Sequence, residues 1–451
     1  MNRSRFYFPV MLFAVLMLLA GSCSNDDNLH TDPEPDTEVP PVDDPVDEGD
    51  DDNSGNDIGV LVDVASQRQE GYVLVNDPGS NRVYLMNKAD GSSAYEWTLP
   101  YHLGNDAKLM DDGVLLISMR AEDPDFNFGG YGGILQMIDT NNEALWRYDL
   151  QSADLIAHHD VVMLPNGNVL TMLWERTGLE DAKAIGYAGE QPDIYTETLV
   201  EIDPVSSEVV WRWDSRDHLV QDAMPEAGNF GEVAASPRKI DINYWDQEVT
   251  SNLDNGDLMH ANGLAYDEAN DLIYMSVNYY SEVWVIDHST TTEEAAGSEG
   301  GNMGYGGDLV YRFGNPSVYR NVAGGRLFYN NHSPKFVPGT DHMLVYMNGN
   351  HTGGPSVVYE LDLPEVFALD PDADNEPLVV WEYSHPDMYS AKVSGAERLP
   401  NGNTLIAVGT FGYWEVTPEK EVVWQFKGEG FFWRGYHIGF GDAALSGLGL
   451  N

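Results

Sequence analysis

The chain has 451 residues and a formal net charge of −51, because 74 aspartates and glutamates outnumber 23 lysines and arginines. A negative charge of this size argues against binding to nucleic acids or to anionic lipid surfaces. The sequence holds 45 glycines, 24 tyrosines and 11 tryptophans, and no long stretch has the periodicity of an amphipathic helix. These features favour an all-β fold and argue against a coiled coil.

The first 22 residues have the pattern of a secretory signal peptide. Arg3 and Arg5 precede an apolar run from Phe8 to Ala20, which is short for a transmembrane helix. The run ends at Ala20-Gly21-Ser22-Cys23, which resembles a bacterial lipobox with alanine where leucine is usual. Cys23 is the only cysteine of the sequence, so no internal disulfide can form. We expect Cys23 to carry a lipid anchor, and the alternative is an ordinary thiol beside a cleavage site.

Residues 23–57 are predicted to be the lipidated cysteine followed by a disordered acidic linker. Positions 24–57 contain 14 acidic residues and no lysine or arginine. The negative charges of such a segment repel one another, and the segment cannot bury enough apolar surface to fold. With the folded domain at 58–451, this organisation predicts a lipoprotein of the bacterial outer membrane or cell surface, with a periplasm-facing orientation as the alternative.

A short pattern recurs six times in the folded domain and predicts a six-bladed β-propeller. Repeats of about 40–50 residues built from short strands are typical of this fold. Within the repeats, Asn-Gly turns between apolar runs, as at 164–170 and 399–405, predict hairpins. Each copy of the pattern is a pair of aromatic residues flanking one polar residue: Tyr95-Glu96-Trp97, Trp146-Arg147-Tyr148, Trp211-Arg212-Trp213, Tyr311-Arg312-Phe313, Trp381-Glu382-Tyr383 and Trp424-Gln425-Phe426.

Three histidines occupy the same position in three successive repeats. His159, His260 and His332 each lie six or seven residues before a turn that precedes an apolar run. The same position holds Gly104 in the second blade and Ser394 in the sixth, so it is not a uniform packing position. Because the innermost strand of each blade lines the central channel, we expect the three imidazoles to converge there and form a functional site.

Two other interpretations of the three histidines are open. Each could be a hydrogen-bonded structural residue, which is the usual role of a single buried histidine. Together they could bind a metal, since zinc accepts three histidines and keeps one open position. No His-x-His or His-Glu-x-x-His spacing is present, and ligands from three blades are widely spaced, so no metal is predicted.

Four phrases of the sequence resemble the bacterial aryl-sulfate sulfotransferases, propeller enzymes that move a sulfuryl group between phenols without a nucleotide donor. The phrases lie at 159–168, 260–267, 331–338 and 397–418, and the resemblance runs from about residue 71 to 437. It implies that His332 is the nucleophile and forms a sulfohistidine intermediate. It also implies that His260 and Asn262 bind the sulfuryl oxygens and assist proton transfer, and that His159 is a further active-site histidine.

One position departs from the family pattern. The family has an arginine eighteen residues after the histidine of its His-x-Asn motif, and this sequence has Asn278 there. Losing a guanidinium removes the strongest bidentate anion donor. We therefore expect Asn278 to line the substrate site and Arg176 to supply the cation, with Arg320 and Arg326 as other candidates.

The sequence thus predicts an aryl-sulfate sulfotransferase-like enzyme without a cofactor. Its expected partners are a small aromatic sulfate donor, a phenolic acceptor and a membrane reached through the lipid anchor, but no nucleic acid. The alternative is a non-catalytic surface propeller that binds glycans or other ligands, favoured if no guanidinium lies beside the histidines. A quinoprotein-type dehydrogenase fits the sequence least well, because neither the blade pattern nor the three histidines indicate a quinone cofactor.

Overall fold

The computed structural model describes residues 58–246, 249, 255–350 and 353–450. The signal peptide, Cys23 and the acidic linker lie outside these residues and stay predictions. In the described part of the chain, no helix is both long and apolar enough to cross a membrane.

Six antiparallel sheets form the blades of a propeller, which confirms the all-β, six-bladed prediction. The strands of blades I to VI are given from the innermost outward. Blade I has Gly435–Ile438, Tyr72–Asn76, Arg82–Asn87 and Ser93–Thr98, and blade II has Leu103–Leu109, Leu115–Arg120, Gly133–Ile138 and Ala144–Asp149. Blade III has Leu155–Met163, Val169–Gly178, Asp193–Asp203 and Glu208–Asp214, and blade IV has Ala261–Asp267, Leu272–Val277, Glu282–Asp287 and Tyr311–Phe313. Blade V has Asn331–Phe336, His342–Met347, Val357–Asp362 and Leu378–Ser384, and blade VI has Gly395–Arg398, Thr404–Val408, Gly412–Val416 and Val422–Lys427.

Both ends of the folded domain take part in closing the ring. The strand Gly59–Asp63 pairs with Val422–Lys427 and adds a fifth strand to the outer edge of blade VI. The strand Gly435–Ile438 pairs with Tyr72–Asn76 and becomes the innermost strand of blade I. Blade I is therefore built from two distant parts of the sequence.

The hydrophobic core lies mainly between adjacent blades. Tyr274, Val283 and Val285 of blade IV pack with Met343 and Val345 of blade V in one buried cluster. The six aromatic pairs lie in the fourth strand of each blade. Several of these rings are fully buried, including Trp97, Trp213, Phe313 and Trp424, so the repeated pattern marks the packing of successive blades.

Helical segments occur only in the connections of the described chain. The α-helices are Leu179–Ala184 in blade III and Thr292–Ala295 in blade IV, and the second begins with a capping box formed by Thr291 and Glu294. The 3₁₀ turns are Asp111–Gly113, Ser215–His218, Val233–Ala235, Pro316–Tyr319 and Ala443–Leu445. A parallel pair, Leu219–Val220 with Ile240–Asp241, orders the long connection between blades III and IV.

A buried ion pair joins blades I and VI. The Lys88 ammonium contacts the Glu415 carboxylate, and neither side chain is exposed. Burial lowers the pKa of Lys88, and the charge of Glu415 opposes that shift. The backbone carbonyl of Lys88 also accepts a hydrogen bond of 2.8 Å from the Trp424 indole, so Lys88 holds two elements of blade VI.

We expect Lys88→Met to lower the free energy of unfolding by about 3–5 kcal/mol, because the Glu415 carboxylate is then buried without its cation. Arg82→Met is the matched control, since the pair of Arg82 with Glu96 in the same blade is exposed and should contribute less than about 1 kcal/mol. Urea unfolding of the two variants measures the difference. Equal effects would contradict a role for the buried pair in ring closure.

Candidate functional site

The innermost strands of blades II to V are interrupted at corresponding points. Their pairing with the second strand shifts register at 103–107, 158–161, 261–263 and 332–335. Such β-bulges redirect side chains locally. His159 and His260 lie in the left-handed region with φ of 55° and 51°, and Ser333, beside His332, has φ of 54°. Non-glycine residues adopt this conformation at a cost and are concentrated at functional sites.

The structure brings the three histidines together, with His260 beside His159 and with Trp433 beside both His159 and His332. The ring centroids of His159 and His260 are 4.9 Å apart. Trp433 lies 5.6 Å from His159 and 5.8 Å from His332, measured between ring centroids. In the described part of the chain, no group of three His, Cys, Asp or Glu residues is arranged to hold a metal ion. What the cluster offers is a set of adjacent imidazoles.

His332 is held by a neutral hydrogen-bond acceptor. Its Nδ1 lies 2.6 Å from Oδ1 of Asn348. The amide nitrogen of Asn348 donates to the carbonyls of Ser390 and Val393, which orients Oδ1 toward the imidazole. Nδ1 of His332 therefore carries the hydrogen and Nε2 carries the lone pair. Burial lowers the pKa of His332 to about 3, despite the opposing hydrogen bond to Asn348, so the imidazole is neutral at physiological pH.

His260 is held by a carboxylate. Its Nδ1 lies 2.5 Å from Oδ2 of Asp257, and its ring stacks on Tyr279 with centroids 4.8 Å apart and planes 16° apart. Asp257 also accepts a hydrogen bond from the backbone nitrogen of His260. An imidazole paired in this way keeps a fixed orientation, and the carboxylate stabilises its protonated form. Asp257 belongs to the long connection between blades III and IV, where no sequence pattern marked it.

His159 contacts a second histidine. Its Nδ1 lies 2.8 Å from Nδ1 of His158, and Nε2 of His158 lies 2.9 Å from Oε2 of Glu197. Gly130 packs against the other side of the His159 ring: a Cβ at that position would come within 2.1–2.5 Å of three ring atoms. Burial lowers the pKa of both histidines well below the usual range, and the neighbouring histidines lower it further.

Arg434 is a cationic residue of the site that sequence analysis missed. It directly precedes the innermost strand of blade I, as His260 precedes that of blade IV and Ser394 that of blade VI. Its guanidinium donates to the Asn262 carbonyl at 3.1 Å and lies over the Trp433 ring at 4.7 Å. The corresponding position in blade I was not assigned from the sequence, because the innermost strand of that blade comes from the far end of the chain.

Asp160 positions Arg434. Its Oδ2 lies 2.6 Å from Nη1 of Arg434, and its Oδ1 lies 2.9 Å from Nζ of Lys108. Although burial opposes ionisation, these two cations hold the pKa of Asp160 well below its usual range. Burial also opposes the charge on Arg434, but the carboxylate of Asp160 outweighs it and raises the pKa of Arg434. Both groups therefore stay charged inside the protein.

Asn262 and Asn278 act on the chain segment that carries His332. Their side-chain amides donate to the backbone carbonyl of Asn331, at 2.8 and 3.2 Å. The side-chain oxygen of Asn278 accepts a further bond from Asn330. In this structure, these two asparagines hold the carbonyl oxygen of the Asn331–His332 peptide bond. The Asn262 side-chain oxygen is buried and has no hydrogen-bond partner in the described structure.

The arginines expected from the sequence lie in other surroundings. Arg176 pairs with Asp193 at 2.9 Å and lines a cleft of about 450 Å³ with Asp154 and Arg216 that includes none of the three histidines. Arg320 pairs with Asp222 at the surface, and Arg326 pairs with Asp246. Arg434 is thus the arginine whose contacts connect it to the histidine cluster.

We expect Asn348→Asp to raise the pKa of His332 by about 1–3 units, because an adjacent carboxylate favours the imidazolium. The neutral form, which bears the lone pair on Nε2, is then present only above that higher pKa. NMR titration of the His332 ring measures the change. Asn350→Asp is the matched control, because Asn350 bonds to the Ala391 carbonyl at the surface. A His332 pKa that stays unchanged in Asn348→Asp would contradict the assigned contact.

The chain is similar to several solved structures. Two crystal structures of proteins of unknown function are similar: one from Bacteroides caccae (14% identity, 81% of this chain and 98% of that chain covered, TM-score 0.46) and one from Desulfotomaculum acetoxidans (10% identity, 82% and 99% covered, TM-score 0.41). The β-propeller domain of Cps50 (Swd1) from Myceliophteria thermophila is also similar, at 10% identity, 77% and 78% coverage and a TM-score of 0.36. No curated protein matches the sequence.

The family comparison covers most of the chain. The profile of the arylsulfotransferase (ASST) family matches residues 53–429. This range includes five of the six innermost strands and all three clustered histidines, and it agrees with the resemblance carried by the four sequence phrases. The chain belongs to the arylsulfotransferase (ASST) family.

Proposed function

We propose that the protein transfers a sulfuryl group from a phenolic sulfate to a phenol through a sulfohistidine formed on His332. The observation that carries the proposal is the contact of His332 Nδ1 with Asn348, which leaves Nε2 as the nucleophilic nitrogen of a neutral imidazole. A covalent intermediate divides one difficult transfer into two easier ones. The family membership supports the substrate class, an aryl sulfate donor and a phenolic acceptor.

The groups around His332 fit the charge of a sulfuryl transfer. Charge on the equatorial oxygens of the transferring group requires fixed donors, by analogy with phosphoryl transfer. Arg434 provides a guanidinium, and its Nε and the Trp433 indole nitrogen are buried without an acceptor among the described residues. His260, whose protonated form Asp257 stabilises, provides another donor. We assign these groups to the sulfuryl oxygens.

Arg434 also bears on the alternative of a non-catalytic binding propeller. That alternative depended on the absence of a guanidinium beside the histidines, since Asn278 replaces the family arginine. Arg434 contacts the Asn262 backbone and the Trp433 ring, so a cation is present without that arginine. No observation in the described structure then favours a glycan-binding module over an enzyme.

Wild-type protein incubated with a chromogenic aryl sulfate and a phenol acceptor should release the chromogenic phenol. Without the acceptor, intact-mass analysis should find one sulfuryl adduct, on His332. His332→Gln should lower the rate by roughly three orders of magnitude or more, as expected when a nucleophile is removed. His342→Gln is the control, because His342 lies in the same blade and pairs with Glu360 at the periphery. Full activity of His332→Gln, or a folded wild type without phenol release, would reject the proposal.

Arg434→Lys should weaken aryl-sulfate binding by about 10- to 100-fold, because lysine keeps the charge near Asp160 but loses the planar set of donors. Calorimetric titration with the aryl sulfate measures the loss. Arg326→Lys is the matched control, since Arg326 makes its ion pair with Asp246. If Arg434→Lys binds the aryl sulfate like the wild type, Arg434 is a structural partner of Asp160 and not a sulfuryl ligand.

A further inference from the structure

A row of buried side chains leads away from His159 and has no role in the chemistry assigned so far. Oε2 of Glu197 lies 2.9 Å from Nε2 of His158, and Nδ1 of His158 lies 2.8 Å from Nδ1 of His159. Glu197 and His158 have no exposed surface, and His159 is 3% exposed. Buried ionisable groups at hydrogen-bond distance from an active-site histidine are candidates for proton transfer.

We propose that Glu197, His158 and His159 form a proton relay that protonates the leaving phenol and takes a proton from the acceptor phenol. This inference rests on the proposed sulfuryl transfer and deepens it. His159 touches the reacting phenols in this scheme. Glu197 and His158 act through His159 and are positioning residues.

The neighbours of the relay fix the orientation of each group. Oε1 of Glu197 accepts a hydrogen bond of 2.8 Å from the Ala261 backbone nitrogen, so Oε2 is the oxygen directed at His158. The His158 ring stacks on Trp174 with centroids 3.8 Å apart and planes 5° apart. Both nitrogens of His158 are therefore used, one by Glu197 and one by His159. This leaves Nε2 of His159 as the nitrogen that faces away from the relay.

Only two arrangements of protons satisfy this geometry when the imidazoles are neutral. In the first, the Glu197 carboxyl donates to His158 Nε2, His158 Nδ1 donates to His159 Nδ1, and His159 Nε2 carries a hydrogen. In the second, the hydrogen of Glu197 is on His158 Nε2 and the hydrogen of His158 Nδ1 is on His159 Nδ1. His159 Nε2 has given up its hydrogen and carries a lone pair, and Glu197 is a carboxylate. Burial raises the pKa of Glu197 well above its usual range and lowers that of His158, which favours the first arrangement at rest.

The relay balances both half-reactions. In the first, His332 Nε2 forms a bond to sulfur and the bond from sulfur to the phenolic oxygen breaks, leaving its electron pair on that oxygen. His159 Nε2 gives its proton to the oxygen, His158 gives one to His159 Nδ1, and Glu197 gives one to His158. In the second, the acceptor oxygen forms a bond to sulfur, and the bond from sulfur to His332 Nε2 breaks, leaving its electron pair on that nitrogen. The acceptor's proton goes to His159 Nε2, His159 Nδ1 gives one to His158 Nδ1, and His158 Nε2 gives one to Glu197.

There is a physical reason for this site to store a proton. The overall reaction neither consumes nor produces a proton, but each half-reaction alone does. His159 and His332 are almost completely buried, so bulk water is a poor source at the moment of transfer. The carboxyl of Glu197 holds the proton inside the protein before the first step, and the acceptor phenol restores that proton in the second.

Glu197→Gln tests the relay, because the amide oxygen can still accept from Ala261 and the amide nitrogen can still donate to His158, but no proton can be released. Single-turnover phenol release should fall by about 10²-fold or more for the sulfate of a weakly acidic phenol, whose leaving group needs a proton. For the sulfate of an acidic nitrophenol, which leaves as a stable anion, the rate should stay within a few-fold of the wild type. Rapid-quench measurement with both donors gives the two ratios.

Glu201→Gln is the matched control, because Glu201 lies in the same strand and pairs with His288 at 3.0 Å; it should change neither rate. His158→Gln should reproduce the leaving-group dependence of Glu197→Gln and serves if that variant does not fold. Equal slowing of both donors, or no slowing of either, would overturn the relay while sulfuryl transfer stands. A wild type that forms no adduct on His332 with either donor would reject the proposed function and the relay together.

Discussion

The carboxylate of Asp160 is the interaction on which the centre of the propeller depends. Asp160 belongs to blade III and binds Arg434 beside blade I and Lys108 of blade II. It also accepts a hydrogen bond of 2.8 Å from the backbone nitrogen of Leu264 in blade IV. Four blades thus meet at one ionised group. Removing a single partner from such a buried cluster leaves an uncompensated charge, which is far more costly than the loss of a surface pair.

Burial and hydrogen bonding set the chemistry of the histidine cluster in different ways. Burial keeps His159 and His332 neutral. The hydrogen-bond partner of each ring then decides which nitrogen carries the hydrogen: an amide for His332, a carboxylate for His260 and a second imidazole for His159. Three identical side chains in equivalent positions of the repeat therefore acquire different properties from non-equivalent neighbours.

Much of the fold could be predicted from the sequence because the sequence pattern of a blade repeats six times. The six aromatic pairs mark six fourth strands, and the common position of His159, His260 and His332 marks three innermost strands beside the axis. The partners of these histidines could not be found in this way. Asn348, Asp257 and Glu197 lie in three different connections or strands, and no repeated sequence pattern marked them as partners of the histidines. Their contacts depend on the three-dimensional arrangement of bulges and loops.

Arg434 illustrates the same limit for another reason. Its position is equivalent to those of the histidines only after the ring closes, because Gly435–Ile438 joins strands that begin more than 300 residues earlier in the chain. The sequence has Asn278 in place of the family arginine, and Arg176 was expected to replace it because it lies near the end of the corresponding strand in blade III. Position in the repeat was a poor guide, since Arg176 pairs with Asp193, whereas Arg434 contacts Trp433, the ring beside His159 and His332.

This closure has a consequence for biosynthesis. A ribosome makes His159, His260 and His332 long before it reaches Arg434, so five blades can assemble around an incomplete centre. Until Gly435–Ile438 docks, Asp160 has Lys108 as its nearby cation and lacks the guanidinium that neutralises its other oxygen. The docking of that strand therefore pairs the second oxygen of Asp160 and brings Arg434 against Trp433 in a single event. The end of folding is thereby coupled to the completion of the centre.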